Sequence, residues 1–268
     1  MTRDQERAAD VWARLRQWTP ARIGLGRAGG SLPTRALLEF ELDHARARDA
    51  VQAEMDAEAL VRELRASGLG EATVVRSQVR DRMEYLLRPD LGRKLDEESR
   101  ARLRGLPGIL TSGQTGARRG APVVVVADGL SAVAPERHAV GVLREFAGTE
   151  NVTIVVANGA RVALGDEIGE LLGAEAVVML IGERPGLSSP DSLGMYLTWA
   201  PRVGRTDAER NCISNVRPEG LPYAEAARRL RYLVCGARRL GFSGVRLKDD
   251  SGGGELEAGS GADLRRND

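Results

Sequence analysis

Three stretches decide the fold: Val123–Gly129 (VVVVADG), Val152–Gly159 (VTIVVANG) and Val177–Glu183 (VVMLIGE). Each is a short apolar run rich in β-branched residues, and each closes on a polar residue beside a glycine. Runs that are apolar at every position suit strands buried on both faces, which is the habit of parallel sheets. Between them lie the helix-patterned stretches Pro135–Phe146 and Leu164–Leu172, so the order is strand, helix, strand, helix, strand. That alternation predicts βαβ units and an α/β domain with a parallel, Rossmann-like sheet over 122–248.

Outward from this centre the pattern changes. Thr111–Pro122 (TSGQTGARRGAP) is small, polar and without an apolar period, and 111–121 reads as a linker. Residues 1–110 read as a mostly helical N-terminal region. Val11, Trp12, Leu15 and Trp18 have helical spacing, and Pro20 with Gly26–Pro33 breaks it. Thr34 is the expected N-cap of a second helix carrying Leu37, Leu38, Phe40 and Leu42. A third helix is expected over Asp56–Ala66, and Val74–Val79 fits a strand. The last helix, about Ala224–Leu240, sets Leu230, Leu233, Val234 and Ala237 against an Arg-rich face. The glycine-rich, charged tail Asp249–Asp268 predicts disorder.

Composition narrows the function. The chain has 268 residues, 42% hydrophobic and 29% charged, enough to bury a sizeable core. No uncharged apolar run approaches the ~20 residues of a membrane helix, and the charged start lacks the apolar core of a secretory signal. A cytoplasmic protein is the expectation. With 39 basic and 38 acidic residues there is no basic excess to hold a phosphate backbone. Three Trp, four Tyr and three Phe offer few stacking platforms, so nucleic acid is not an expected partner. Cys212 and Cys235 are far apart, and His44 and His138 are the only histidines, which leaves no protein-only metal site to expect.

The strand ends carry the chemistry. In parallel sheets ligands bind outside the carboxyl ends of the strands, where Asp128, Asn158 and Glu183 would meet along one edge. Ordinary turn chemistry explains each pair taken singly; three in register mark a binding edge. Gly182-Glu183-Arg184-Pro185-Gly186 follows a buried strand directly, so a rigid turn would hold the Glu183 carboxylate at that edge. Gly165-Asp166-Glu167-Ile168-Gly169 imitates a dinucleotide fingerprint but stands too far from the preceding strand, and an acidic helix start fits it better. Glu136-Arg137-His138-Ala139-Val140-Gly141 is one residue from a D-x-H-x-x-G cobalt-ligating motif. Pro135 nevertheless looks like the first residue of a helix, with His138 in its first turn.

Taken together, several segments resemble the small (light) subunit of ethanolamine ammonia-lyase from about Ala9 to Lys248. They are Ala21–Gly29 (ARIGLGRAG), Thr34–Asp49 (TRALLEFELDHARARD), Arg88–Leu95 (RPDLGRKL), Asp128–Ser131 (DGLS) and, most strongly, Asp166–Leu187 (DEIGELLGAEAVVMLIGERPGL). Ser192-Leu193, Pro201-Arg202 and Cys212–Asn215 (CISN) follow in order.

The resemblance implies a Rossmann-like domain behind a helical N-terminal part, packed on a larger TIM-barrel subunit in a hetero-oligomer of six large and six small chains. Adenosylcobalamin would lie between the two subunits, contacted here by Val162, Glu183 and Cys212. Homolysis of its cobalt–carbon bond would start the radical conversion of ethanolamine to acetaldehyde and ammonia, with no catalytic residue on this chain. The family keeps the cofactor's own dimethylbenzimidazole as lower ligand, which discounts His138. Members linked to bacterial microcompartments often carry a longer N-terminal extension, and here only about eight residues precede the first resembling segment. That weakens a microcompartment location. Two other classes fit the same strands: a stand-alone nucleotide-binding Rossmann module, and a purely structural subunit.

Overall fold

A computed structural model describes residues 11–106, 122–147 and 152–251. The expected linker 111–121 and residues 252–268 of the expected tail lie outside the described residues.

The three apolar runs are strands, as their composition predicts: β2 (Val123–Ala127), β3 (Thr153–Asn158) and β4 (Ala176–Gly182). The first strand, β1, covers Ala72–Arg76 rather than Val74–Val79; just past it Ser77 donates its backbone N–H to the Asn158 carbonyl and its hydroxyl to the Gly159 carbonyl. Two more follow, β5 (Leu193–Trp199) and β6 (Arg210–Val216). All six form one sheet in the order β1-β3-β2-β4-β5-β6.

The sheet corrects two expectations. It is not parallel throughout: β1, β3, β2 and β4 run parallel, but β5 and β6 return as an antiparallel meander. Nor is the N-terminal part separate from it, since β1 pairs with β3 from Ala72↔Ile154 to Arg76↔Asn158.

Residues 11–15 are helical, and the helices with both ends described are α1 (Thr34–Gln52), α2 (Ala57–Ala66), α3 (Arg82–Leu87), α4 (Glu97–Arg104), α5 (Val133–Ala147), α6 (Leu164–Leu172) and α7 (Tyr223–Leu240). Asp56 caps α2 by accepting from Ala59 N at 2.9 Å, while its own N–H donates to Glu136 at 2.9 Å and ties α2 to α5. At α1 the expected cap does not form: Thr34 is already helical and Pro33 stands at the cap position without a side-chain bond. Helix α5 starts at Val133, two residues before Pro135, which sits harmlessly in the first turn where its missing N–H has no helical partner.

Two apolar layers hold the sheet. On one face α2, α5 and α7 cover Val124, Val126, Ile154, Val156, Val178, Leu180, Met195 and Ile213. On the other, α4 and α6 cover Val123, Val125, Val155, Val177, Met179 and Ile181. Gly165 and Gly169 allow α6 to lie close: a Cβ on Gly165 would stand 2.7 Å from Met179 Sδ, and one on Gly169 2.4 Å from Pro201 Cγ. The pseudo-fingerprint glycines therefore serve helix–sheet packing. Among the described residues, no helix is long and apolar enough to cross a membrane.

Candidate functional site

Side chains alternate faces along a strand, which places the expected site residues on one side of the sheet. Val177, Met179 and Ile181 face α6, and Glu183 continues that row just past β4. The register Met179↔Tyr196 and Tyr196↔Cys212 carries the same face across β5 and β6. Val162, in the turn between β3 and α6, packs half-buried against the same apolar cluster as Tyr196. Glu183, Tyr196 and Cys212 lie along one face, and Val162 packs on that same α6 face. On β6 this face is partly open, with Cys212 and Ser214 exposed, whereas on β5 Gly194 and Thr198 are buried and Tyr196 is half-buried.

The Glu183 carboxylate does not hang freely over the edge as its position after the strand suggests. It accepts from the hydroxyl of Ser192, from Ser214 Oγ at 2.5 Å and from the Asn215 N–H at 3.2 Å. Gly194 makes room for this: a Cβ there would stand 3.0 Å from Glu183 Cγ, Glu183 Oε1 and Tyr196 Cε2. Burial pushes the Tyr196 phenol well above its ordinary value, with the Cys212 thiol and the Glu183 carboxylate adding to the shift.

Beneath this group, Asp166 of α6 and Arg210 of β6 form a buried, two-pronged ion pair with both contacts at 2.7 Å. Arg210 also donates to Thr198 Oγ1 at 2.8 Å and to the Arg205 carbonyl at 3.0 Å. The pair fastens α6, and with it the Val162 turn, to the strand that carries Cys212.

Two other expected residues have structural partners. Asp128 is buried and accepts from the N–H groups of Gly129 (2.9 Å), Gly159 (2.9 Å) and Ala160 (3.0 Å), stapling the end of β2 to the turn after β3. Burial raises its pKa, against those three bonds and the Arg82 guanidinium. His138 lies buried in α5 with Nδ1 2.7 Å from the Tyr223 hydroxyl and Nε2 3.5 Å from Asp191. Among the described residues, no group of three His, Cys, Asp or Glu side chains is placed to hold a metal ion.

Sequence reasoning missed Ser192, Gly194, Tyr196 and Ser214. Only a prediction of β5 and β6 as adjacent strands would have brought them to Glu183.

The chain matches the family model described as ethanolamine ammonia-lyase light chain (EutC) over residues 9–248. A protein of Rhodopseudomonas palustris (strain BisA53) is 57% identical over 243 residues, covering 88% of this chain and 89% of the relative. One of Azotobacter vinelandii is 54% identical over 257 residues, covering 93% of each, and one of Xanthomonas campestris pv. campestris (strain B100) is 53% identical over 248 residues, covering 90% and 89%. Each is named ethanolamine ammonia-lyase small subunit. With the match spanning both the sheet and the Glu183–Cys212 face, the chain belongs to the ethanolamine ammonia-lyase light-chain family.

Proposed function

We propose that this chain is the cofactor-contacting small subunit of a two-subunit, adenosylcobalamin-dependent ethanolamine ammonia-lyase. The observation that carries the reading is the shared face of β4, β5 and β6, open at Cys212 and Ser214, to which the register brings Glu183, Tyr196 and Cys212, with Val162 packed against the same apolar cluster as Tyr196. The residues fit a large, amide-rimmed ligand. A carboxylate fixed by three hydrogen bonds keeps lone pairs to accept from carboxamide N–H groups, and Val162 and Cys212 add apolar surface on the same face.

When bound, the cofactor supplies radical chemistry, begun by cobalt–carbon homolysis, that takes ethanolamine to acetaldehyde and ammonia. The chain's own residues bind and orient. Glu183 holds an acceptor at a fixed height above the sheet, and the Asp166–Arg210 pair keeps α6 and β6 in register beneath it. No catalytic acid or base is assigned here; substrate-binding groups belong to the larger subunit, in an assembly of six large and six small chains. The cytoplasm is the proposed location, with a bacterial microcompartment as the alternative.

The test is a cobalamin titration of the complex co-expressed with its larger subunit, followed by visible absorption, beside a size-exclusion check of assembly. Glu183→Gln keeps the size but removes the charge, and its affinity should fall roughly tenfold, about 1.4 kcal/mol. Glu183→Ala should lose more. No absorption change in the wild-type complex, or unchanged affinity in an assembled Glu183→Ala complex, would refute the proposal. The small subunit alone should release no acetaldehyde.

A further inference from the structure

β6 carries one residue more than its partner can match. Leu193 pairs with Val216 and Met195 with Ile213, so Gly194 of β5 is faced by both Ser214 and Asn215. Two residues opposite one make a β-bulge, which resets the alternation of the strand. Counting on from buried Ile213, an unbroken strand would turn Ser214 out, Asn215 in and Val216 out. Instead Ser214 and Asn215 are both exposed, and Val216 is buried opposite Leu193.

The backbone at the bulge is special. Asn215 has φ +60°, and among the described residues only Ala200 also has a positive φ without being glycine. Asparagine enters the left-handed region more readily than most residues, and a β-branched residue scarcely enters it. The turn after β6 braces Asn215 there. Its carbonyl accepts from the Leu221 N–H at 2.7 Å, and its Oδ1 accepts from Arg217 Nε at 2.9 Å. Gly220 lies so close that a Cβ on it would stand 2.3 Å from the Asn215 carbonyl oxygen.

Both residues of the bulge donate to one carboxylate: Ser214 Oγ to Glu183 Oε1 at 2.5 Å, and the Asn215 N–H to Oε2 at 3.2 Å. In a regular antiparallel ladder a backbone N–H lies in the sheet and points at a neighbouring strand or the free edge. Here it meets a side chain instead. Gly194, the single residue opposite the bulge, is also the one whose Cβ would meet Glu183.

We propose that Asn215 is a positioning residue of the cofactor site: its left-handed backbone turns the N–H onto Glu183 and fixes the direction in which the carboxylate meets the ligand. The inference rests on the reading of Glu183 as a cofactor contact. Asn215 acts through its backbone, and its side chain serves only to brace the bulge.

The experiment uses the complex co-expressed with its larger subunit, titrated with cobalamin and followed by visible absorption, with size exclusion to confirm assembly. Asn215→Gly loses the side chain but adopts positive φ freely, and should bind within about twofold of wild type. Asn215→Val disfavours that backbone and should bind roughly tenfold more weakly in an assembled complex. Should the valine variant fail to assemble, Asn215→Ala takes its place with an expected loss of about fivefold. Because Asn215 works through Glu183, adding Asn215→Val to Glu183→Ala should cost less than about twofold more. Three results would each overturn the proposal. Equal losses in the glycine and valine variants would make the side chain a direct contact. A lower melting temperature with unchanged affinity in the valine variant would leave a structural role alone. An undiminished loss in the Glu183→Ala background would show that Asn215 acts apart from the carboxylate. The cofactor reading fails differently: the wild-type complex then shows no absorption change, or Glu183→Ala binds as wild type does, whatever stands at position 215.

Discussion

Replacing Arg210 by methionine should be among the most damaging single changes in this chain. Its side chain is 3% exposed and that of Asp166 2%, so neither charge reaches water. Arg210→Met leaves the carboxylate buried with no countercharge and strands Thr198 Oγ1 and the Arg205 carbonyl as well. Breaking such a pair by removing one partner costs about 3–5 kcal/mol. Against a whole stability of about 5–15 kcal/mol that is a large share, and at ~2–4 °C per kcal/mol it lowers the melting temperature by roughly 6–20 °C.

The double variant Asp166→Leu, Arg210→Met removes both charges and should regain most of the loss, since apolar replacement of a buried pair is close to neutral. The pH dependence gives a second signature. Burial pushes the Asp166 carboxyl up, and Arg210 opposes that push. Without Arg210 the carboxyl titrates above its unfolded value, so the variant's deficit is small where the group is protonated and grows as pH rises through its folded pKa. Calorimetric melts of the co-expressed complex at about pH 5 and pH 8 check both claims. A single variant melting within ~2 °C of wild type at pH 8, or a double variant no better than the single, would show that the pair does not hold α6 to β6.

Two further outcomes are expected. Gly194→Ala places a Cβ 3.0 Å from Glu183 Oε1 and Tyr196 Cε2, so it should displace the carboxylate and weaken cobalamin binding several-fold while assembly survives on size exclusion; unchanged binding would remove Glu183 from the contact. His138 is kept below its ordinary pKa by burial, against the pull of Asp191 and Glu219 and with the charge of Arg137. Its contribution to stability is therefore present above ~pH 6.5 and is lost as pH falls through the folded pKa, so His138→Gln should flatten the drop in melting temperature between about pH 7.5 and 5. An equally steep drop in the variant would assign it to other groups.

The sequence was most legible where burial is symmetrical. β2, β3 and β4 are covered on both faces, so their central positions are apolar on both sides and the runs stand out. α6 is bounded as expected, Leu164–Leu172, by its acidic first turn and by Gly173 in the left-handed region. β5 and β6 were hidden for the reason that makes them interesting. Leu193, Met195 and Leu197 point into the apolar core, while Gly194, Tyr196 and Thr198 lie on the opposite face, and in β6 the exposed Cys212 and Ser214 alternate with buried Ile213 and Val216. A strand whose second face carries small and polar residues shows no apolar run, and a single glycine or serine carries no mark of the carboxylate it will receive. Glu183 was legible from its place at a strand end as well as through resemblance, and Cys212 through resemblance alone; their common face, and the serines that fix Glu183, needed the register of β4, β5 and β6. Asn158 was legible as a strand-end residue, but alternation along β3 from Val156 places it on the side of α2 and α5, away from Glu183.

The order of the strands also sets a timetable. β1 leaves the ribosome early, yet its sole neighbour in the sheet is β3, and Ser77 meets Gly159 across a separation of 82 residues. At about 5–20 residues per second, roughly 4–16 seconds pass before that partner is synthesised. During this interval β1 is an unpaired strand, with the exposed apolar side chains of Trp18, Leu38 and Leu42 just ahead of it in the chain. The meander from β4 to β6 closes over short separations soon after it emerges, so the nascent chain is most vulnerable to mispairing at the edge that is made first and waits longest for its partner.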